Sequence, residues 1–186
     1  MNDAPYIRRF FALIFDLMIA FSLFCGVLMI VQYLEFNVPI HTFMAADQTI
    51  MLKAYAWFAG FYFMYELFFS SLLSATPGKI LVNIEDEYSR GHTALNVILR
   101  SLIKSITVLL GPLPIIISFV VALTKQTKSI HDLAARTRVT DETRSPRLIG
   151  LFFLAAAIAI FVYFYAKNLK GLVFDYSNIH FPKLYS

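Results

Sequence analysis

The sequence predicts an all-α membrane protein with two N-terminal transmembrane helices, a third apolar region that re-enters the membrane or forms a hairpin, and a C-terminal transmembrane helix. Of the 186 residues, 59% are hydrophobic and only 15% are charged, which is more apolar surface than a soluble domain of this length can bury. Four apolar runs approach or exceed the roughly 20 residues that cross the hydrocarbon core. The lipid bilayer is therefore the predicted partner of the chain.

The first two runs, Phe10 to Leu34 and Thr49 to Leu73, are each long enough to span. Three aromatic residues of the second run are candidates for interfacial anchors, because amphipathic rings favour the headgroup region: Tyr55, Trp57 and Tyr62. The loop between the runs, residues 35–48, contains no Lys or Arg, whereas Arg8 and Arg9 precede the first run. The positive-inside rule therefore predicts a cytoplasmic N-terminus.

The third run, Ala94 to Thr124, is broken by glycine and proline at Gly111, Pro112 and Pro114, and proline interrupts a helix. A hairpin here would keep twelve of the sixteen Lys and Arg residues on the cytoplasmic side, whereas a complete crossing would move six of them outside. The positive-inside rule favours the hairpin. The last run, Leu148 to Ala166, is long enough to span and would leave the tail outside.

Composition and motifs exclude several function classes. The net charge of +4 comes from cations that flank apolar runs, a pattern that indicates topology and anionic lipid and not a nucleic-acid surface. Cys25 is the only cysteine, so neither a disulfide nor a cysteine metal cluster forms within the chain. His131 has no second ligand at metal spacing. Without a recognisable nucleophile, metal cluster or cofactor loop, the sequence predicts neither an enzyme nor a cofactor.

Charged residues within the apolar runs are the candidate functional residues. Arg9, Ala12 and Asp16 share one helical face, with Asp16 about 10 Å deeper than Arg9. An aspartate at the centre of a membrane helix costs roughly 2.5 to 3.5 kcal/mol, and Glu66 repeats the problem in the second run. The explanation is either structural or functional.

In the structural interpretation, these acids pair with the cations of the third run, Arg100 and Lys104. In the functional interpretation, a carboxylate in a low dielectric binds a proton or a small cation in turn. The turn Thr76-Pro77-Gly78-Lys79 follows the second run and would place Lys79 at the lipid headgroups. This turn lacks the remaining residues of a phosphate-binding loop.

Three blocks of the sequence resemble the signature of the RDD family of bacterial membrane proteins. The blocks are residues 9–16, residues 76–79 and residues 130–139, and their matching positions include Ala12, Thr76, Pro77, Gly78, Lys79, His131, Ala134 and Thr137. The arginine and two aspartates that name the family would be Arg9, Asp16 and Asp132. Arg136 stands where the family usually has glycine, and Val82-Asn83-Ile84 replaces a glycine-containing run. The resemblance implies an RDD-like membrane domain over residues 6–140. Outside it, the length of the last apolar run predicts an additional C-terminal transmembrane helix over 141–166 and an extracytoplasmic tail over 167–186.

The resemblance also implies a multi-pass protein of the bacterial cytoplasmic (inner) membrane. Most members of the family are uncharacterised, and some resemble antiporters that exchange Na⁺, Li⁺ or K⁺ for protons. The first hypothesis is accordingly a small ion transporter, a homo-oligomer in which Asp16 is the proton and cation site, Arg9 and Asp132 control access, and Glu66 is a secondary acid. The alternative is a non-catalytic scaffold or partner subunit whose buried charges lock the helices together.

Overall fold

The structure of the protein, a computed structural model, describes residues 3–35, 48–88, 94–111 and 130–166. These residues form, in chain order, α1 (Tyr6–Glu35), α2 (Gln48–Leu73), α3 (Pro77–Leu81), β1 (Glu85–Tyr88), α4 (Ala94–Leu109), α5 (Ile130–Ala135), β2 (Thr137–Thr140) and α6 (Arg147–Phe164). The predicted tail beyond residue 166 lies outside the described residues.

Three helices of the described residues, α1, α2 and α6, are long and apolar enough to cross a membrane. This confirms the two N-terminal spans and the C-terminal span. Helices suit apolar runs in lipid because every backbone polar group is satisfied within the segment. α1 and α2 are antiparallel, since Phe24 packs on Phe58 while Asp16 is bonded to Tyr65. α6 runs parallel to α1. Near its start Gly150 contacts α3, which itself lies beside Ala12 of α1, and near its end Phe161 contacts Phe21 of α1.

The third apolar run forms a helix that ends before the predicted break. α4 stops at Leu109, and Gly111 follows with a φ of +88°, a conformation that glycine adopts without strain. Pro112 and Pro114 lie outside the described residues. α5 packs on α4, and β2 pairs with β1. The described segments on either side of the run, β1 before it and α5 with β2 after it, thus lie at the same end of the bundle, as the predicted hairpin requires.

A two-stranded antiparallel sheet caps that end of the bundle, in addition to the predicted helices. Its register pairs Glu85 with Thr140 and Tyr88 with Thr137. The chain start joins it, because the Ala4 amide donates to the Val139 carbonyl over 2.9 Å. Strands of four residues from segments about 50 positions apart leave no periodic signal in the sequence, since an alternating pattern needs a longer run to be recognised.

The apolar core lies between α1, α2, α4 and α6. Its buried members are Ile19, Ala20, Tyr62, Tyr65, Phe69, Val108 and Ala157. The interpretation of Tyr62 as an interfacial anchor is wrong, because its side chain is 0% exposed. Trp57, in contrast, is 74% exposed on the bundle surface. The two residues differ because Tyr62 lies one turn before Glu66, on the face of α2 that meets α4.

Candidate functional site

Eight ionisable side chains meet near the end of the bundle that carries the sheet. We call them the buried charge network: the acids Asp16, Glu66, Asp86 and Asp132 and the bases Arg9, Lys79, Arg100 and Lys104. Arg9 is the most exposed member, with a side chain that is 13% accessible. Four positive and four negative charges cancel, as burial in low dielectric requires.

Glu66 and Lys104 are in direct contact, as the structural interpretation of the membrane charges predicts. The Lys104 ammonium donates to both carboxylate oxygens of Glu66, over 2.7 and 2.8 Å. It also lies 5.7 Å from the centre of the Tyr62 ring, within range of a cation–π interaction. Lys79 Nζ is a second donor to Glu66, at 3.4 Å. Glu66 therefore has two cationic partners, Lys104 and Lys79.

Asp16 is held mainly by neutral donors. Its Oδ1 accepts from the Tyr65 hydroxyl over 2.9 Å and from the Gly78 amide over 2.8 Å, and its Oδ2 accepts from the Thr76 hydroxyl over 2.5 Å. The Lys104 ammonium lies 4.0 Å from Oδ2. Asp16 is 0% exposed. Donors from α2, from the turn after it and from α3 therefore take the place of the water molecules that an exposed carboxylate would bind.

The small residues of two family blocks permit this arrangement. A Cβ atom at Gly78 would lie 2.5 Å from the carbonyl oxygen of Ala12 and 2.7 Å from Oδ1 of Asp16. Pro77 begins α3 at a position where its missing amide hydrogen is not needed. Ala12 itself is only 2% exposed. The close approach of α3 to α1 therefore explains why glycine and alanine occupy these positions.

Lys79 is not at the lipid headgroups, although its position just after the second apolar run predicts that it is. Its side chain is 6% exposed, and its ammonium contacts Asp86 Oδ2 over 2.6 Å. The placement is wrong because the turn does not leave the bundle: α3 folds back beside Asp16 and carries Lys79 inward. Asp86, which sequence reasoning missed, also pairs with Arg100. The acidic run of residues 85–87 is its only sequence signal, and such runs are usually solvated.

Asp132 is the meeting point of three chain segments. Arg100 donates to its Oδ1 from Nε over 3.1 Å and from Nη2 over 2.9 Å, and Arg9 Nη1 lies 3.6 Å from its Oδ2. Arg9 also donates to the carbonyls of Ala4 and Val139, over 3.1 and 3.0 Å. The Arg9 and Asp132 pair that the hypothesis requires is thus present. Within the described residues, Arg100 pairs with Asp86 of β1 and Asp132 of α5, and not with Asp16 or Glu66.

The remaining motif residues differ in their placement. Thr137 is 2% exposed and donates to Asp132 over 3.3 Å, whereas Ala134 lies at the surface. The side chain of His131 lies outside the described residues. Burial and the negative charge of Asp86 raise the pKa of the Tyr88 phenol above its usual value, so this phenol stays neutral beside the network. Among the described residues, no group of three or more His, Cys, Asp or Glu is placed to hold a metal ion.

Both departures from the family blocks, Arg136 and the run Val82-Asn83-Ile84, include a residue with a left-handed backbone conformation. Arg136 has a φ of +53° and Asn83 a φ of +61°. Glycine adopts this conformation freely, and asparagine tolerates it better than most residues do. The backbone thus keeps at both positions the geometry that glycine favours.

Comparison with curated proteins and with solved structures gives no match. A family model described as "RDD family" matches residues 4–136, which is more than half of the chain. The matched region includes Arg9, Asp16 and Asp132 together with β1, α4 and α5. The chain therefore belongs to the RDD family, as a multi-pass membrane protein whose described residues include three apolar helices long enough to span.

Proposed function

We propose that the protein is a small proton-coupled transporter of monovalent cations, an antiporter that exchanges Na⁺, K⁺ or Li⁺ for protons. The observation that carries the proposal is the weak ionic compensation of Asp16. This carboxylate is 0% exposed, yet the Lys104 ammonium is 4.0 Å away and is bonded at 2.7 Å to Glu66. One lysine is therefore shared by two buried acids, and the negative charge of Asp16 is the one that a mobile cation compensates best.

The surroundings of Asp16 supply oxygen atoms that a proton or an alkali cation can use. The Thr76 and Tyr65 hydroxyls donate to its two carboxylate oxygens. The Ala12 carbonyl oxygen faces the same spot, because a Cβ atom built at Gly78 would lie 2.5 Å from that oxygen and 2.7 Å from Asp16 Oδ1. Hard cations prefer such oxygen ligands, namely carboxylate, hydroxyl and carbonyl groups. When a proton or cation leaves Asp16, Lys104 is positioned to move toward it from Glu66.

The energetics of the network support a functional role. A buried ion pair is weak evidence for stability, because apolar residues of similar volume stabilise a core as well or better. A chain that only needed to hold its helices together could do so with apolar side chains at these eight positions. Intramembrane ionisable residues are, by default, candidates for ion and proton pathways.

The second candidate function is a non-catalytic membrane scaffold or partner subunit. Glu66 and Asp132 favour it, because each accepts hydrogen bonds from buried cations and neither is more than 1% exposed. Under this alternative the charges lock α1, α2, α4 and the sheet into one unit. Transport requires Asp16 to change its protonation state, whereas the scaffold requires the network to stay unchanged.

We place the transporter in the bacterial inner membrane with the sheet end and the N-terminus in the cytoplasm, as the positive-inside rule favours. The described residues include three helices that can span. Because so few helices enclose a path poorly, we propose that the transporter works as a homo-oligomer.

Flux in vesicles tests the proposal. Purified protein is reconstituted with a pH-sensitive dye inside, and proton movement is recorded after addition of Na⁺, K⁺ or Li⁺. Asp16→Asn is the informative variant, because an asparagine accepts from Tyr65 and Gly78 while the Thr76 hydroxyl turns to accept from its amide. Glu87→Gln is the matched control, since this acid lies in an exposed pair with Arg138.

The expected result is cation-driven proton flux in the wild type and in Glu87→Gln, and none in Asp16→Asn. Folding of each variant is checked through the buried thiol of Cys25. Absence of flux in the wild type for all three cations over a broad pH range would reject the transporter in favour of the scaffold. Equal flux in the wild type and Asp16→Asn would remove Asp16 from the mechanism.

A further inference from the structure

Four buried hydroxyl groups lie between α2 and α4 without a hydrogen-bond partner in the described part of the chain. They belong to Tyr62, Ser70, Ser101 and Ser105, and we call them the hydroxyl seam. Their side chains are deeply buried, with exposures of 0%, 1%, 1% and 5% in that order. An unpartnered buried hydroxyl costs about 1 to 3 kcal/mol, so four on one interface require an explanation.

Helical spacing places the seam around the Glu66 and Lys104 pair. On α2, Tyr62 is one turn before Glu66 and Ser70 one turn after it, so the three share a face over about 12 Å. On α4, Ser101 and Ser105 adjoin Arg100 and Lys104 on the buried face. Because Lys104 contacts Glu66 directly, this face of α2 meets the buried face of α4. The seam therefore extends along both helices, above and below the contact between Lys104 and Glu66.

The serines of the seam do not use the usual local partner. A helical serine or threonine commonly donates to the carbonyl four residues earlier, as Ser22 does to Met18 and Thr107 does to Ile103, both over 2.8 Å. Ser70, Ser101 and Ser105 make no such bond. Their hydroxyls are therefore available to another group.

Asp86 extends this pattern to the sheet end of the network. Its Oδ2 accepts from Lys79 and Arg100, whereas its Oδ1 is buried without a partner in the described residues. A carboxylate oxygen needs a donor, while a serine or tyrosine hydroxyl both donates and accepts. Water is the ligand that satisfies both requirements, and buried waters typically bridge such otherwise unsatisfied groups.

We propose that ordered water molecules occupy the hydroxyl seam and form a hydrogen-bonded file from Asp86, past Glu66 and Lys104, to Tyr62. The file hydrates the interior of a bundle whose outer surface is apolar. As a route for protons it rests on the transport function proposed above. As a binding site for water it stands on the buried hydroxyls alone, and the experiment below tests it without any transport measurement.

Radiolytic labelling followed by mass spectrometry detects such waters, because hydroxyl radicals formed from a bound water oxidise the side chain beside it. Tyr62 is the reporter in the wild-type protein in detergent or nanodiscs. Phe69 is the control, since it is another buried aromatic residue of α2 but has no hydroxyl group and packs on Phe153. Each rate is divided by the rate of the same residue in the unfolded chain.

The expected result is that Tyr62 is oxidised several-fold faster than Phe69 after this correction. The double variant Ser101→Ala/Ser105→Ala should lose most of the labelling at Tyr62, whereas Ser22→Ala, whose hydroxyl is already bonded, should leave it unchanged. Equal corrected rates for Tyr62 and Phe69 would overturn the proposal.

Thermal unfolding gives a second and independent test. In a dry seam, removing an unpartnered hydroxyl relieves its desolvation cost, so the double variant would unfold at a higher temperature than the wild type. In a hydrated seam the variant loses bonds to water, and its unfolding temperature should fall. If Tyr62 is labelled but the protein shows no cation flux, the proposal of bound waters stands and the transporter is rejected. If the protein shows flux but Tyr62 is not labelled, the transporter stands and the proposal of bound waters is rejected.

Discussion

Gly78→Ala is the substitution for which the structure gives the sharpest expectation. The methyl group would lie 2.5 Å from the Ala12 carbonyl oxygen and 2.7 Å from Asp16 Oδ1, distances at which atoms must move. The backbone of Gly78 is outside the left-handed region, so alanine adds no conformational strain there. Only the separation between α3 and α1 changes, and with it the 2.8 Å bond from the Gly78 amide to Asp16.

The magnitude follows from two contributions. Overpacking a tight contact costs about 1 to 3 kcal/mol, and a lost hydrogen bond to a charged group costs about 1.5 to 3 kcal/mol. Together they lower the free energy of unfolding by about 2.5 to 6 kcal/mol. At about 2 to 4 °C per kcal/mol for a chain of this size, the unfolding temperature should fall by about 5 to 24 °C.

The assay uses Cys25, which is the only cysteine and is 2% exposed. A thiol-reactive fluorophore added during heating reports the temperature at which this side chain becomes accessible. Gly60→Ala is the matched control, because a Cβ at Gly60 meets nothing within 4 Å and alanine is the better helix former by about 1 kcal/mol. Gly60→Ala should therefore unfold at a slightly higher temperature than the wild type. If Gly78→Ala unfolded at the same temperature as Gly60→Ala, the contact between α3 and Asp16 would be refuted.

Four further variants test the network and the left-handed turns with the same thiol assay. Lys104→Met leaves Glu66 and Asp16 without their shared ammonium and should cost about 3 to 5 kcal/mol, whereas adding Glu66→Gln to it should restore a large part of that loss. A double variant no more stable than the single one would contradict the pairing. Arg136→Gly should raise stability by about 1 kcal/mol, because a left-handed conformation costs an ordinary residue about that much, and Asn83→Gly should have a smaller effect. A decrease in stability for Arg136→Gly would show that its side chain outweighs the backbone strain.

The spans and their approximate ends could be predicted from the sequence because they are local properties. The run from Phe10 to Leu34 contains enough apolar residues to cross a membrane whatever it packs against, and α1 indeed covers Tyr6–Glu35. The break at Gly111 was equally visible, since glycine and proline act on the backbone where they stand. The charges within the runs could be recognised as costly for the same reason.

Which acid meets which base was decided only by the tertiary structure. Pairing depends on the relative depth and rotation of neighbouring helices, and neither quantity is encoded in one segment. Arg100 lies one turn before Lys104, and that single turn gives it Asp86 and Asp132 as partners while Lys104 takes Glu66. Lys79 has the side chain of a headgroup anchor, but it is buried because α3 folds back against α1. The sequence by itself thus determined that these charges need partners, while the choice of partners came from long-range packing that no local pattern records.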